Sequence, residues 1–189
     1  MTGQVKREYA EKFNLVWLAP LGFNNTFAIL VRRDEAQRLH LTRITDVTRY
    51  APHWRAGFGQ DFMSRPDGYA GFARTYGLRF AELPREMDLA LTYRALADGQ
   101  VDLIAGNSTD GLIDRLNLVA LQDDRHYFPP YEAATVVRKE ILQKYPQVGR
   151  ALDALGGRIS NAEMRQLNYL VDGEHREVAE VVKEFLEGK

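Results

Sequence analysis

Short apolar runs separated by amphipathic stretches organise this chain. Leu15–Leu18, Phe27–Arg32, Val101–Ala105, Leu118–Leu121 and Ala133–Val137 are each brief and bounded by turn-forming residues. That is the pattern of parallel strands buried on both faces. Between them the spacing turns helical. Asp34 caps a short helix over Glu35–Leu39, and Thr45-Asp46 opens another. Asp67–Tyr76 predicts a helix closed by Gly77. Met87–Ala97 places Met87, Leu91 and Ala95 beside Leu89 and Leu96 on one amphipathic face. After Val137 the pattern is helical throughout, over Lys139–Lys144, Val148–Leu155, Ala162–Leu170 and Arg176–Leu186. Ser160 and Glu163 have capping-box spacing ahead of the third of these. Strands alternating with helices predict an α/β fold with a largely parallel sheet.

Leu21–Asn25 and Tyr127–Pro130, rich in Gly, Asn, Pro and aromatics, read as crossings between two lobes. This gives a middle lobe over 25–130 and an outer lobe built from 1–24 and 131–189. The composition is ordinary for a globular protein: 189 residues, 45% hydrophobic, 27% charged and 11% aromatic. A formal net charge of -1 supplies no electrostatic reason to expect nucleic acid or an anionic membrane. No run of about 18 uninterrupted apolar residues occurs, and MTGQVKREYAEKFN lacks the apolar core of a secretory signal. The chain has no cysteine, which excludes disulfides, zinc–thiolate sites and thiol nucleophiles.

The usual catalytic and cofactor signatures are missing. Neither GxGxxG nor GxxxxGK followed by Ser or Thr occurs, and Gly57-Phe58-Gly59 lacks the third glycine. His40, His53, His126 and His175 are too far apart in sequence to suggest a metal site. Asp123-Asp124 reads as a solvated turn, and no GxSxG elbow supports a hydrolytic triad. No cofactor and no metal are expected. Four other segments carry more information. "AGNSTDG", Ala105–Gly111, puts hydroxyl, amide and carboxylate groups directly after a buried strand. "PLGFNNTFAI" sets Asn24-Asn25-Thr26 between two phenylalanines, and "DFMSRPDGYAG" holds Arg65 in a turn ahead of a helix. "YFPPYEAA" presents Tyr127, Phe128 and Tyr131 around a stiff diproline. Each also fits a packing or capping role.

Together with "WLAPLGFNNTFAILVR", "FMSRPDGYAGFARTYG", "MDLALTYRALADGQVDLIAGNSTDGLI", "LVALQDDRHYFPPYEAATVVRK" and "LNYLVDGE", these segments make the chain resemble a known family. It is similar to the substrate-binding proteins of ABC importers for glycine betaine, choline and carnitine, in the branch of weak betaine affinity. The resemblance implies a type II periplasmic-binding-protein-like fold, with two lobes on parallel-type sheets and a ligand held between them. Such ligands are zwitterionic or quaternary ammonium compounds. The cation sits among aromatic faces and the carboxylate on an arginine. By this correspondence Phe27 takes the place of a cage tyrosine and keeps the ring without the hydroxyl. Asn107 takes the place of a second and loses the aromatic face. Tyr131 keeps a third, and Arg65 matches the carboxylate-binding arginine. Asn25, Thr26 and Thr109 complete the expected ligand-binding set.

The resemblance further implies ABC permease subunits as partners, a periplasmic or other extracytoplasmic location, and no enzymatic activity. Family members begin with a stretch of the first lobe for which this chain has no counterpart, so the outer lobe is expected to be incomplete. Its uncovered apolar faces would then recruit a second copy by dimerisation or strand exchange, unless the chain is simply truncated. One alternative is a binder of a different, larger or more polar zwitterion, which the amide of Asn107 would suit better than a bare quaternary ammonium, and two other classes compete with this reading. An effector-sensing domain of a regulator would need a DNA-binding module, and an enzyme on the same fold would need a nucleophile–base pair. No such module is read in the chain, and no sequence spacing suggests such a pair.

Overall fold

The computed structural model describes residues 3–188; Met1, Thr2 and Lys189, which the outer-lobe expectation includes, lie outside the described residues. The first elements are α1 (Gly3–Phe13), β1 (Leu15–Asn24), β2 (Phe27–Arg32), α2 (Arg33–Leu39) and β3 (Ala56–Phe58). There follow α3 (Gln60–Ser64), α4 (Tyr69–Tyr76), β4 (Arg85–Glu86), α5 (Leu89–Ala97), β5 (Leu103–Asn107), α6 (Leu112–Arg115) and β6 (Leu118–Ala120). The chain ends with β7 (Glu132–Arg138), α7 (Lys139–Lys144), α8 (Pro146–Asp153), α9 (Asn161–Asn168) and α10 (Val178–Glu187).

Two compact units emerge from this order. Residues 1–25 and 130–166 make one, and 26–129 with 167–189 make the other. The second unit thus takes in α10, whereas the sequence pattern groups 131–189 with the chain's start. A pattern of amphipathic helices shows that a face must be covered but not by which partner.

The larger unit is built on a five-stranded sheet in the order β4-β3-β5-β2-β6. Along β2, Ile29 and Val31 enter one core with Phe58, Phe62, Phe72 and Tyr76. Ala28 and Leu30 enter another, with Tyr93, Leu96, Ile104 and Ile113. Both faces of the strand are covered, as its unbroken apolar run requires. The direction of the strands differs from expectation. β3 runs parallel to β4 and β5, but β2 is antiparallel to both β5 and β6. Burial on both faces comes from the covering helices and does not depend on strand direction, so a mixed sheet carries the same sequence pattern.

Local rules account for several element ends. α4 stops at Gly77, whose φ of 67° lies in the left-handed region. Asp88 caps α5 by accepting from the Ala90 N–H at 2.8 Å. The Ser160/Glu163 box closes as spaced, with reciprocal bonds of 2.8 and 3.2 Å. The helix expected at Thr45-Asp46 is a 3-10 segment, Ile44–Arg49. In the smaller unit β1 and β7 form a two-stranded antiparallel sheet. α1 packs on β1 through Tyr9, whose ring lies 5.5 Å from Phe13 and 5.3 Å from Trp17.

Candidate ligand-binding site

The wall of the site is one strand pair. Phe27 opens β2 directly across from Asn107, which ends β5. Beside them the chain is laced by backbone bonds. The Ser108 N–H donates to the Thr26 carbonyl at 2.9 Å, and the Thr26 N–H donates to Ser108 Oγ at 3.1 Å. Thr26 Oγ1 donates to the Pro129 carbonyl at 3.1 Å.

Behind the wall stands Tyr93, fully buried. Its hydroxyl accepts from the Asn107 N–H at 3.2 Å. Burial pushes the phenol up, and the Asp110 carboxylate adds to this by charge and hydrogen bond. Residue 106 must be glycine here, because a Cβ would lie 2.1 Å from that hydroxyl. Asp110 in turn caps α6 through the Leu112 N–H at 2.9 Å. "AGNSTDG" is therefore both a capping turn and a wall. Thr109 is 2% exposed, and its carbonyl accepts from Asn168 Nδ2 at 2.9 Å.

A cavity of about 530 Å³ opens on this wall, beyond the carboxyl ends of the parallel strands β3 and β5. Open α/β sheets bind ligands at this position. Phe27, Asn107, Gly59, Asp61, Glu86 and Asp88 are among its lining residues, and among the described residues no Lys, Arg or His lines it. Three carboxylates and the rings of Phe27 and Phe62 give it an acidic, partly aromatic lining.

The Phe27 ring packs edge-on to Phe62, with centroids 4.9 Å apart, and the Arg65 guanidinium lies 5.7 Å from its centroid. Arg65 follows α3 in the turn to α4, and donates to Asp67 from Nε and Nη2, both at 2.9 Å. Gly68 permits that turn, since a Cβ there would lie 2.0 Å from the Phe62 carbonyl. The Tyr127 hydroxyl pins it by donating to the Gly68 carbonyl at 3.0 Å.

Of the residues expected from sequence, Thr26, Phe27, Arg65, Asn107 and Thr109 lie in the larger unit. Phe27 and Asn107 line the cavity; Thr26, Arg65 and Thr109 do not. Asn25 and Tyr131 belong to the smaller unit, paired by a bond from the Asn25 N–H to the Tyr131 carbonyl at 3.1 Å. The sequence reading missed Tyr93 and the carboxylates of Asp61, Glu86 and Asp88. Asp88 had a local signal in its capping position, but the others are assembled only by the fold.

Comparisons with known proteins show the family. Residues 1–188 match the OpuAC family, described as the substrate binding domain of ABC-type glycine betaine transport system. The carnitine transport binding protein OpuCC of Listeria monocytogenes is 38% identical over 184 residues, which is 97% of this chain and 59% of the relative. The glycine-betaine-binding protein of Pseudomonas aeruginosa is 36% identical over 190 residues, covering 95% of this chain and 61% of the relative. Both relatives are named as binding proteins, and this chain spans about three fifths of their length. A crystal structure described as a glycine betaine/carnitine/choline ABC transporter superposes with a TM-score of 0.89 at 37% identity, covering 97% of this chain and 67% of that one. The mixed α/β architecture is thus that of periplasmic binding proteins. Matched along nearly its whole length, the chain belongs to the OpuAC family of ABC-type substrate-binding domains.

Proposed function

We propose that this chain is a solute-binding component of an ABC importer for zwitterions of the glycine betaine type. The observation that carries the reading is the cavity at the Phe27–Asn107 strand pair, lined by carboxylates and, among the described residues, by no basic side chain. Arg65 lies on the Phe27 ring. A cationic group is attracted to the ring and the carboxylates, while a ligand carboxylate requires the guanidinium. The chain acts by binding rather than turnover, outside the cytoplasm, and delivers its ligand to permease subunits. Asn107 puts an amide where relatives of high affinity are expected to place an aromatic face, so betaine affinity is weak.

Calorimetric titration with glycine betaine and carnitine tests this. Weak saturable binding is expected, and Arg65→Glu should abolish it through charge repulsion. Unchanged affinity in that variant removes Arg65 from the site.

A second-copy partner is also proposed. In the smaller unit Leu18 and Ile159 are buried, while Val5, Tyr9, Phe13 and Val136 are exposed beside a sheet of two strands. Such edges and apolar groups favour pairing with another copy. Light scattering after size exclusion at micromolar concentration should give a dimer; a monomer mass contradicts the proposal.

A further inference from the structure

We infer that Asp67 is a positioning residue for ligand carboxylates, acting through Arg65. This rests on the proposed role of Arg65. The Arg65 side chain is 44% exposed, on a turn between two helices, where a long side chain has many rotamers. Asp67 removes that freedom. Its two oxygens take Nε and Nη2 in a parallel fork, both at 2.9 Å, which sets the plane of the guanidinium as well as its place. The fork uses one edge, so the group is oriented with its Nη1 side away from Asp67. The turn beneath is itself fixed, by the close packing of Gly68 on the Phe62 carbonyl and by the Tyr127 hydroxyl on Gly68. Asp67 is the less exposed partner at 23%, so the arginine is anchored to it rather than the reverse. An arginine held this way binds a carboxylate without first ordering its own side chain.

The test compares ligands that share a trimethylammonium group and differ in the carboxylate. Glycine betaine, carnitine and choline are titrated into the full chain and into Asp67→Asn, Asp67→Glu and Arg65→Ala, with thermal melts confirming that each variant folds. Asp67→Asn should weaken betaine and carnitine about three- to tenfold and leave choline unchanged. Asp67→Glu should recover part of the loss. A parallel fall for all three ligands would mean that Asp67 serves the fold alone, and no change or tighter betaine binding would also overturn the inference. Arg65→Ala separates the two levels. If it alters the betaine-to-choline ratio while Asp67→Asn does not, positioning fails and the role of Arg65 stands. If Arg65→Ala leaves the ratio unchanged, or the unmodified chain binds none of the three, the reading of the site fails as well.

Discussion

Asp123 accepts from the Tyr76 hydroxyl and from the backbone N–H groups of Tyr127 and Phe128. Asp124 accepts from the N–H and hydroxyl of Thr45, at 3.2 and 2.6 Å. The pair that reads as a solvated turn in sequence is instead a hub that fixes the segment carrying Phe128 into the core. Alternation alone places adjacent side chains on opposite sides; it cannot show that each side holds donors. Burial opposes ionisation of Asp124, but the Thr45 bonds, the Asp124 N–H and the Arg43 charge together outweigh it and hold the carboxyl below its usual range. Asp46 behaves alike, with burial outweighed by the N–H groups of Arg43 and Thr42 together with the Arg43 charge and the Thr42 hydroxyl. Both folded values lie below the unfolded one of about 3.9, so their contribution is complete above that pH and is lost as pH falls through the folded values. Urea midpoints should therefore drop as pH falls below about 4. Thr45→Val should shrink that drop by removing the hydroxyl that favours the Asp124 anion. An identical pH profile in the variant would contradict this.

At the scale of elements, the five strands expected from apolar runs are all present, and so are the helix closed by Gly77 and the Ser160/Glu163 box. These are the features whose cause is local. α1 is not among the helices expected from sequence, although Val5, Tyr9 and Phe13 recur every fourth residue in an otherwise charged segment. β3 was not expected either. Three residues around Gly57 offer no periodicity. Strand direction was illegible for a different reason: β2 is buried on both faces yet antiparallel to both neighbours. The site divides the same way. Arg65, Phe27 and Asn107 stand out in short motifs, whereas Asp61 and Glu86 meet in the cavity from separate elements.

For the whole molecule, fold and family are set by a match over residues 1–188, while the ligand rests on a few side chains in one unit. The central claim is that a betaine-like cation sits against the Phe27–Asn107 wall with one aromatic face missing. Restoring that face is the sharpest intervention, because residue 107 is half-buried at the cavity and its backbone bonds do not depend on its side chain. A cation–π face contributes about 0.5–2 kcal/mol, or roughly two- to thirtyfold in affinity. The decisive measurement is calorimetric titration of Asn107→Tyr with glycine betaine beside the unmodified chain. The account predicts tighter binding within that range; unchanged or weaker binding by a folded variant would contradict it.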